Sequence, residues 1–344
     1  MNYIKYTLKS IFNIAKKKDG DKNEMKNENP AHFELVKKQN SRVVRNLLKK
    51  TGALSVSKIA ELAGLTYPTV LALLKELADM GEVKISKETK SFGGRPGIQY
   101  ELHAEYQYAL VMYFDDCSLR GEVYDARGNS VNVVYTDTMT KEIEVLDIVR
   151  FVQEIKEQYP RLSAVALGVP GAVCETEITY LPKFPNLQGE KLAETIKNEL
   201  GLMVFIENDM NAIAFSESTD WKDFAHLVYA DEDCCIGVGI VMQGEVIKGS
   251  HGYAGELEYL CTDMKNQKDT FVTSIAVLTC VLDLPDILLS GKCCTQQNVQ
   301  EIIEELRTRI PEERIPKLHI VKELDGKYEA GLLKRVLEYW EKVL

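Results

Sequence analysis

Asn208 and Asp209 stand side by side at the head of a helix-like stretch, 209–217, and suit the recognition of a small polar molecule. A carboxylate accepts hydrogen bonds, while a carboxamide both accepts and donates, so a buried pair of this kind offers fixed bonds to a polyol. A plainer role fits equally well: either side chain could cap the helix by accepting a backbone N–H of its first turn. Sulfur and imidazole promise less. The eight cysteines include the adjacent pairs Cys234-Cys235 and Cys293-Cys294 but no Cys-x-x-Cys. Cys261 with His251 nearby falls short of the three or four N/S ligands that zinc needs, so no metal site is expected. Reduced thiols in a cytoplasmic protein are the expectation, with no secretory segment and no apolar run of about 20 residues to span a membrane.

A second set of side chains points to DNA. Val56, Ile59, Ala60 and Ala63 fall at i, i+3, i+4 and i+7, one apolar helix face. Gly64-Leu65 breaks that helix, Thr66 can cap another, and Pro68 is tolerated in its first turn. Val70, Leu73, Leu74 and Leu77 repeat the spacing until Gly81 ends the run. Two helices joined by a short glycine-containing turn make a helix-turn-helix, whose second helix enters the major groove. Thr66 at its start, with Tyr67, Thr69, Leu71 and Ala72 turned away from the apolar face, are the candidate DNA contacts. Val83 and Ile85, then Ile98, Tyr100 and Leu102, alternate with polar neighbours as two half-buried strands. The loop between them carries Lys90 and Arg95 among Gly93, Gly94 and Pro96, and can reach a phosphate or a minor groove. The bland alternative is a small helical interaction domain with a solvated loop.

Charge divides the chain in the same place. Residues 1–100 hold 19 Lys+Arg and 10 Asp+Glu, a balance of +9; the rest holds 23 and 42, a balance of −19. A basic module on an acidic body confines nucleic-acid contact to the module. The organisation expected is a basic mobile tail (1–30), a winged helix-turn-helix (31–102) and a body (103–344). A helix over 31–51, with Val36, Val43 and Leu47 on one face and Asn40 between them, packs behind the reading helices.

In the body, strands over 109–114, 119–124 and 130–137 precede a helix whose face is Ile143, Leu146, Val149, Val152 and Ile155. Strand 164–169, helix 192–200, strand 204–206, helix 209–217 and strands 226–230 and 236–241 follow. Helix 272–282, strand 287–289, helix 299–310, strand 318–321 and helix 332–344 close the chain. Three antiparallel strands followed by this alternation give an α/β body (α+β overall), two-lobed and actin-like or ribonuclease-H-like.

The sequence resembles transcriptional regulators of the ROK family (repressor, open reading frame, kinase) from about residue 35 onward. The segments that carry the likeness are GLTYPTVLALLKELADMGEV (64–83), GGRPG (93–97), GVPGAV (168–173), IENDMNAIAF (206–215), GVGIVMQGEVIKGSHGYAGELEYL (237–260) and LPDILLSG (284–291), in family order. The resemblance implies a sugar site with Asp209 as the vestigial general base beside Asn208, together with Glu256 and Gly171. It also implies departures. Lys183 stands where the family has asparagine, and Tyr259 where it has a zinc-ligating, sugar-contacting histidine. The zinc segment itself is missing between Cys261 and Thr273. The phosphate loop DxGxT becomes Tyr113-Phe114-Asp115-Asp116-Cys117, and a second, Cys234-Cys235-Ile236-Gly237-Val238-Gly239, keeps only its later glycines. Without groups to hold and neutralise phosphates, phosphoryl transfer loses its basis.

The expectation is therefore a cytoplasmic, non-enzymatic DNA-binding repressor of carbohydrate-related genes, needing no cofactor. It would bind a double-stranded operator as a homodimer or homotetramer, and sense a sugar or sugar phosphate. The alternatives are a sugar kinase with retained activity and a non-sensing dimerisation scaffold.

Overall fold

The computed structural model describes residues 30–89, 97–115, 118–135, 142–229, 236–257, 267–291, 294–324 and 326–343. Lys90, Arg95, Asp116, Cys117, Tyr259 and Cys261 lie outside them, as do both members of Cys234-Cys235. The chain divides into two compact units, one of residues up to Ala78 with Ile85–Glu101, the other of Asp79–Lys84 with Leu102–Val343.

The first unit contains helices α1 (Pro30–Thr51), α2 (Val56–Ala63) and α3 (Tyr67–Asp79) and a small sheet of order β1-β3-β2, with β1 Leu54–Ser55, β2 Val83–Thr89 and β3 Gly97–Leu102. Ser55 caps α2 by accepting the Lys58 N–H at 3.3 Å, and Gly64 ends it in the left-handed conformation that glycine adopts without cost. Thr66 opens α3, its hydroxyl accepting the Thr69 N–H at 3.4 Å. Val56, Ile59, Val70, Leu73, Leu74 and Leu77 are buried as their spacing predicts.

Helix α1 corrects one expectation. Val44 and Leu48 are fully buried, whereas Val36 and Val43 are 38% and 42% exposed. The doublets Val43-Val44 and Leu47-Leu48 present two neighbouring apolar stripes, and packing selects the second. The hairpin is likewise buried only near its base: Val83, Tyr100 and Leu102 are inside, Ile85 and Ile98 exposed.

The second unit has two lobes. In the first, the sheet order is β10-β7-β4-β5-β6, with β4 Tyr108–Asp115, β5 Ser118–Asp125, β6 Ser130–Tyr135, β7 Leu162–Val169 and β10 Met203–Asn208. β4, β5 and β6 run antiparallel, while β7 and β10 run parallel to β4. Helices α4 (Val145–Gln158) and α5 (Leu192–Leu200) cover one face through a core that includes Met112, Val165, Leu167, Val152 and Ile196. Leu146, expected inside, is 49% exposed, because the buried stripe of α4 runs through Ile148, Val149, Phe151, Val152 and Ile155. A short hairpin, β8 (Ala172–Cys174) and β9 (Glu177–Tyr180), was not anticipated.

The second lobe is a mixed sheet of order β13-β12-β11-β14-β15, with β11 Phe224–Tyr229, β12 Ile236–Met242, β13 Glu245–Val246, β14 Asp286–Ser290 and β15 Lys317–Ile320. Helices α7 (Gln267–Leu282) and α8 (Gln296–Leu306) pack on it through Val272, Ile275, Leu278, Ile302 and Leu306.

Helix α6 (Asp209–Glu217) touches strands of both sheets, and the last helix, α9 (Lys327–Val343), lies against α6, β4, β7 and β10. A helix buried nearly all round needs close neighbours, and glycines supply them. A Cβ on Gly331 of α9 would stand 1.8 Å from the Ala212 carbonyl, and one on Gly239 of β12 2.3 Å from that of Met210. Lys334 of α9 caps the far end of α6, donating to the Phe215 carbonyl at 2.9 Å. Among the described residues, no helix is long and apolar enough to cross a membrane.

Candidate ligand-binding site

The parallel pairing of β7 with β10 places Asn208 opposite Val169, so the segments following both strands emerge at one edge of the sheet. That edge faces the second lobe across a cavity of about 460 Å³. This size is ordinary for small-molecule sites, which hold roughly 300–1,000 Å³. Gly171, Lys183, Asn208, Asp209 and Glu256, far apart in sequence, all line it, with Tyr180, Met210 and Val238 among the apolar walls. Gly171 is required by space: a Cβ there would lie 2.1 Å from the Tyr180 carbonyl. Tyr259 lies outside the described residues.

Asn208 and Asp209 divide the two roles between them. Asn208 is the cap. Its Oδ1 accepts the Asn211 N–H at 3.0 Å, and its Nδ2 donates to the Gly171 carbonyl at 3.0 Å. Asp209 accepts its neighbour Met210's N–H at 2.7 Å and otherwise faces the cavity. Burial pushes its carboxyl above the usual carboxylate range, against the pull of the Met210 N–H, the Asn208 amide and the Lys183 ammonium.

At Tyr113, where the family likeness calls for a metal- and phosphate-binding aspartate, the structure has a phenol bonded to a carboxylate. The Tyr113 hydroxyl donates to Glu329 Oε1 of α9 at 2.8 Å, and its ring lies 4.9 Å from that of Tyr328. Tyr328 covers Gly168 so closely that a Cβ there would meet its hydroxyl at 2.2 Å. Gly237 and Gly239, which in sequence look like the remnant of a phosphate loop, lie under α6, where Met210 and Ala214 occupy the space side chains would need. That packing leaves no room for a side chain at either position.

Behind the cavity, Glu207 is almost fully buried between the lobes. Its Oε2 lies 2.8 Å from Lys248 Nζ and 3.3 Å from Arg335 Nε, joining β10, the segment after β13, and α9. Sequence reasoning missed this cluster, together with Tyr180 and Glu329, because no local spacing links residues so distant along the chain. His251 is exposed, and among the described residues no three or more His, Cys, Asp or Glu side chains form a metal-holding group.

In the first unit, Tyr67 is 50% exposed, Ala72 is exposed, and Thr69 and Leu71 are half-buried on the side of α3 away from its core. Thr66 also shares a 2.8 Å hydrogen bond with the Thr69 hydroxyl.

Two mixed sheets flanking a central cleft, with helices α6 and α9 between them, define the second unit as an actin-like α/β protein. The chain belongs to the ROK family, whose model matches residues 118–305. It is similar to the xylose repressor of Bacillus subtilis, 23% identical over 242 residues that cover 68% of this chain and 63% of that protein. It is also similar to the DNA-binding transcriptional dual regulator NagC of Escherichia coli, 22% identical over 247 residues, 67% of this chain and 59% of that one. The chain thus spans less than two thirds of the length of each of these relatives. Among solved structures it resembles a ROK family transcriptional regulator, a homologue of the E. coli MLC protein, with a TM-score of 0.66 and 18% identity over 88% of this chain and 96% of that one. At that identity the likeness establishes the fold alone.

Proposed function

We propose that the protein is a DNA-binding transcriptional regulator, a repressor of carbohydrate-related genes, whose body senses a sugar and does not transfer phosphate. The reading divides the chain into a winged helix-turn-helix over 31–102 and a ROK body over 103–344. The observation that carries it is the pairing of a cavity that has Asp209 and Glu256 in its lining with a Tyr113–Glu329 hydrogen bond where a kinase needs an aspartate. A neutral phenol in place of the aspartate is a poor ligand for Mg2+, and the nearby Glu329 carboxylate is engaged by the Tyr113 hydroxyl. For DNA contact, the support is the solvent-facing side of α3 and the +9 balance of residues 1–100, together with the repressor names of the relatives. A sugar that binds one arrangement of the lobes better than another shifts operator affinity by that difference and no more.

The test is selection of bound duplexes from a random DNA pool at low salt, repeated with sugars added, alongside an assay for sugar-dependent ADP release. Recovery of a two-fold symmetric site supports the reading. Substitutions at Tyr67, Thr69 or Leu71 should change base preference, while Arg95→Ala should lower the salt slope by about one phosphate contact. Indifference to every duplex would overturn the DNA-binding reading, and turnover that Asp209→Asn abolishes would replace it with the kinase.

A further inference from the structure

Helix α1 carries three distinct rows of side chains, and its own module covers only one of them. Ser41, Val44 and Leu48 are buried, and Lys37 on the same side pairs with Glu76 of α3 at 2.6 Å. Lys38, Arg42, Arg45 and Lys49 form a second, basic row. The third row is Val36, Asn40, Val43 and Leu47, which spacing alone assigns to the reading helices. The structure turns it away from them: Val36 and Val43 are exposed, and Asn40 and Leu47 are half-buried. Asn40 has no hydrogen-bond partner among the described residues. Leu35 apart, every described apolar side chain that α1 leaves uncovered falls in this row.

Steps of four, three and four residues are the d-a-d-a seam of a heptad, with Asn40 and Leu47 at the a positions. On the same count the basic row takes positions c and f, away from the seam, and Lys50 at the next d position ends it. We propose that this row is an interface with a second copy of the chain, the two α1 helices running parallel and in register. Charge favours that occupant. Residues 1–100 are basic as a whole, yet the row and the g positions beside it, Gln39 and Asn46, are uncharged, so identical rows meet without repulsion. Asn40 favours it too. In-register pairing sets Asn40 against its own copy, where one carboxamide donates to the other's oxygen. An antiparallel pair would set it against a valine and leave it unmatched. A single asparagine at an a position specifies register and strand number in this way. Two heptads are too short to join free peptides, but each helix is already folded on its module, so pairing carries no cost of forming it. The inference goes beyond the DNA-binding reading and stands without it.

The experiment is disulfide trapping in the full-length protein without DNA, with linked peptides identified by mass spectrometry so that native cysteines are told apart. The variants are Asn40→Cys, Val43→Cys and, on the opposite side of the helix, Lys38→Cys as control. An in-register seam holds the paired Cα atoms within disulfide reach, about 4–7 Å. Asn40→Cys and Val43→Cys should each link to their own copies at ten-fold or more the yield of Lys38→Cys. Adding Val36→Glu to Val43→Cys should abolish the link, because two carboxylates then face each other in the seam. Val43 is exposed, so its variant reports even if the change at Asn40 disturbs the helix. Equal yields in all three variants, or a link that survives Val36→Glu, would overturn the proposal. Linking found only between Asn40→Cys and Val43→Cys chains in a mixture, the mark of an antiparallel pair, would overturn it too. None of these failures touches the DNA-binding reading, which the duplex selection tests separately.

Discussion

Replacing Asn208 separates a structural amide from a ligand-binding one. In Asn208→Ala, helix α6 loses the acceptor for its Asn211 N–H, and the Gly171 carbonyl loses its donor. Loss of a helix cap costs about 1 kcal/mol. A carbonyl left without its donor costs about 1–3 kcal/mol more where it is buried; Asn208 is only 9% exposed and Gly171 half-buried. The sum is about 2–4 kcal/mol, and at about 2–4 °C per kcal/mol for a body of this size the midpoint should fall by roughly 10 °C. Asn208→Ser keeps an acceptor for the N–H but has no amide to reach Gly171, so only the cap's share, about a quarter to a half of the loss, should be recovered. Thermal and urea unfolding of the two variants beside wild type measure this directly. Should serine destabilise as much as alanine, or alanine cost less than about 0.5 kcal/mol, the capping account is wrong.

Other perturbations test other parts of the chain. His226 is fully buried, shares a 2.7 Å hydrogen bond with Ser290, and is pushed down to about 4 by burial and then by Lys327. Its unfolded form takes up a proton near pH 6.5 and its folded form resists, so stability should be lost as pH falls from about 6.5 towards 4, by about 3 kcal/mol at the end. His226→Gln should flatten that limb of a pH–stability curve; an unchanged limb would assign it to other groups. In α1, Leu48→Ala should cost about 2–5 kcal/mol and Val43→Ala under about 0.5, and equal losses would mean that the helix is turned the other way.

The sequence is most readable where a local signal marks an end. The bounds of α5 and α6 match those read from sequence, because Gly201 in the left-handed region closes one and Asn208 opens the other. Where signals compete, the reading slips. The paired valines and leucines of α1 offer two stripes, and only packing against α2 and α3 chooses between them. Helix α9 begins at Lys327, five residues before the apolar run that reveals it, because Tyr328 and Glu329 earn their helical places through Gly168 and Tyr113 rather than through their own spacing. The cavity shows the same limit. Gly171, Lys183 and Glu256 came to notice through family likeness, and only the register of β7 with β10 and the facing second lobe bring them to Asp209. Tyr180, Glu207 and Arg335 have no such marker.

Helix α9 has one more consequence, for the order in which the molecule is made. The strands of the first sheet leave the ribosome long before the helix that covers their second face, with an entire second sheet translated in between. A nascent chain that has reached β15 holds every strand among the described residues, yet it lacks Gly331 to seat α6, Lys334 to finish it and Glu329 to occupy Tyr113. The pocket at Asp209 therefore cannot mature piece by piece as translation proceeds; it awaits the synthesis of α9.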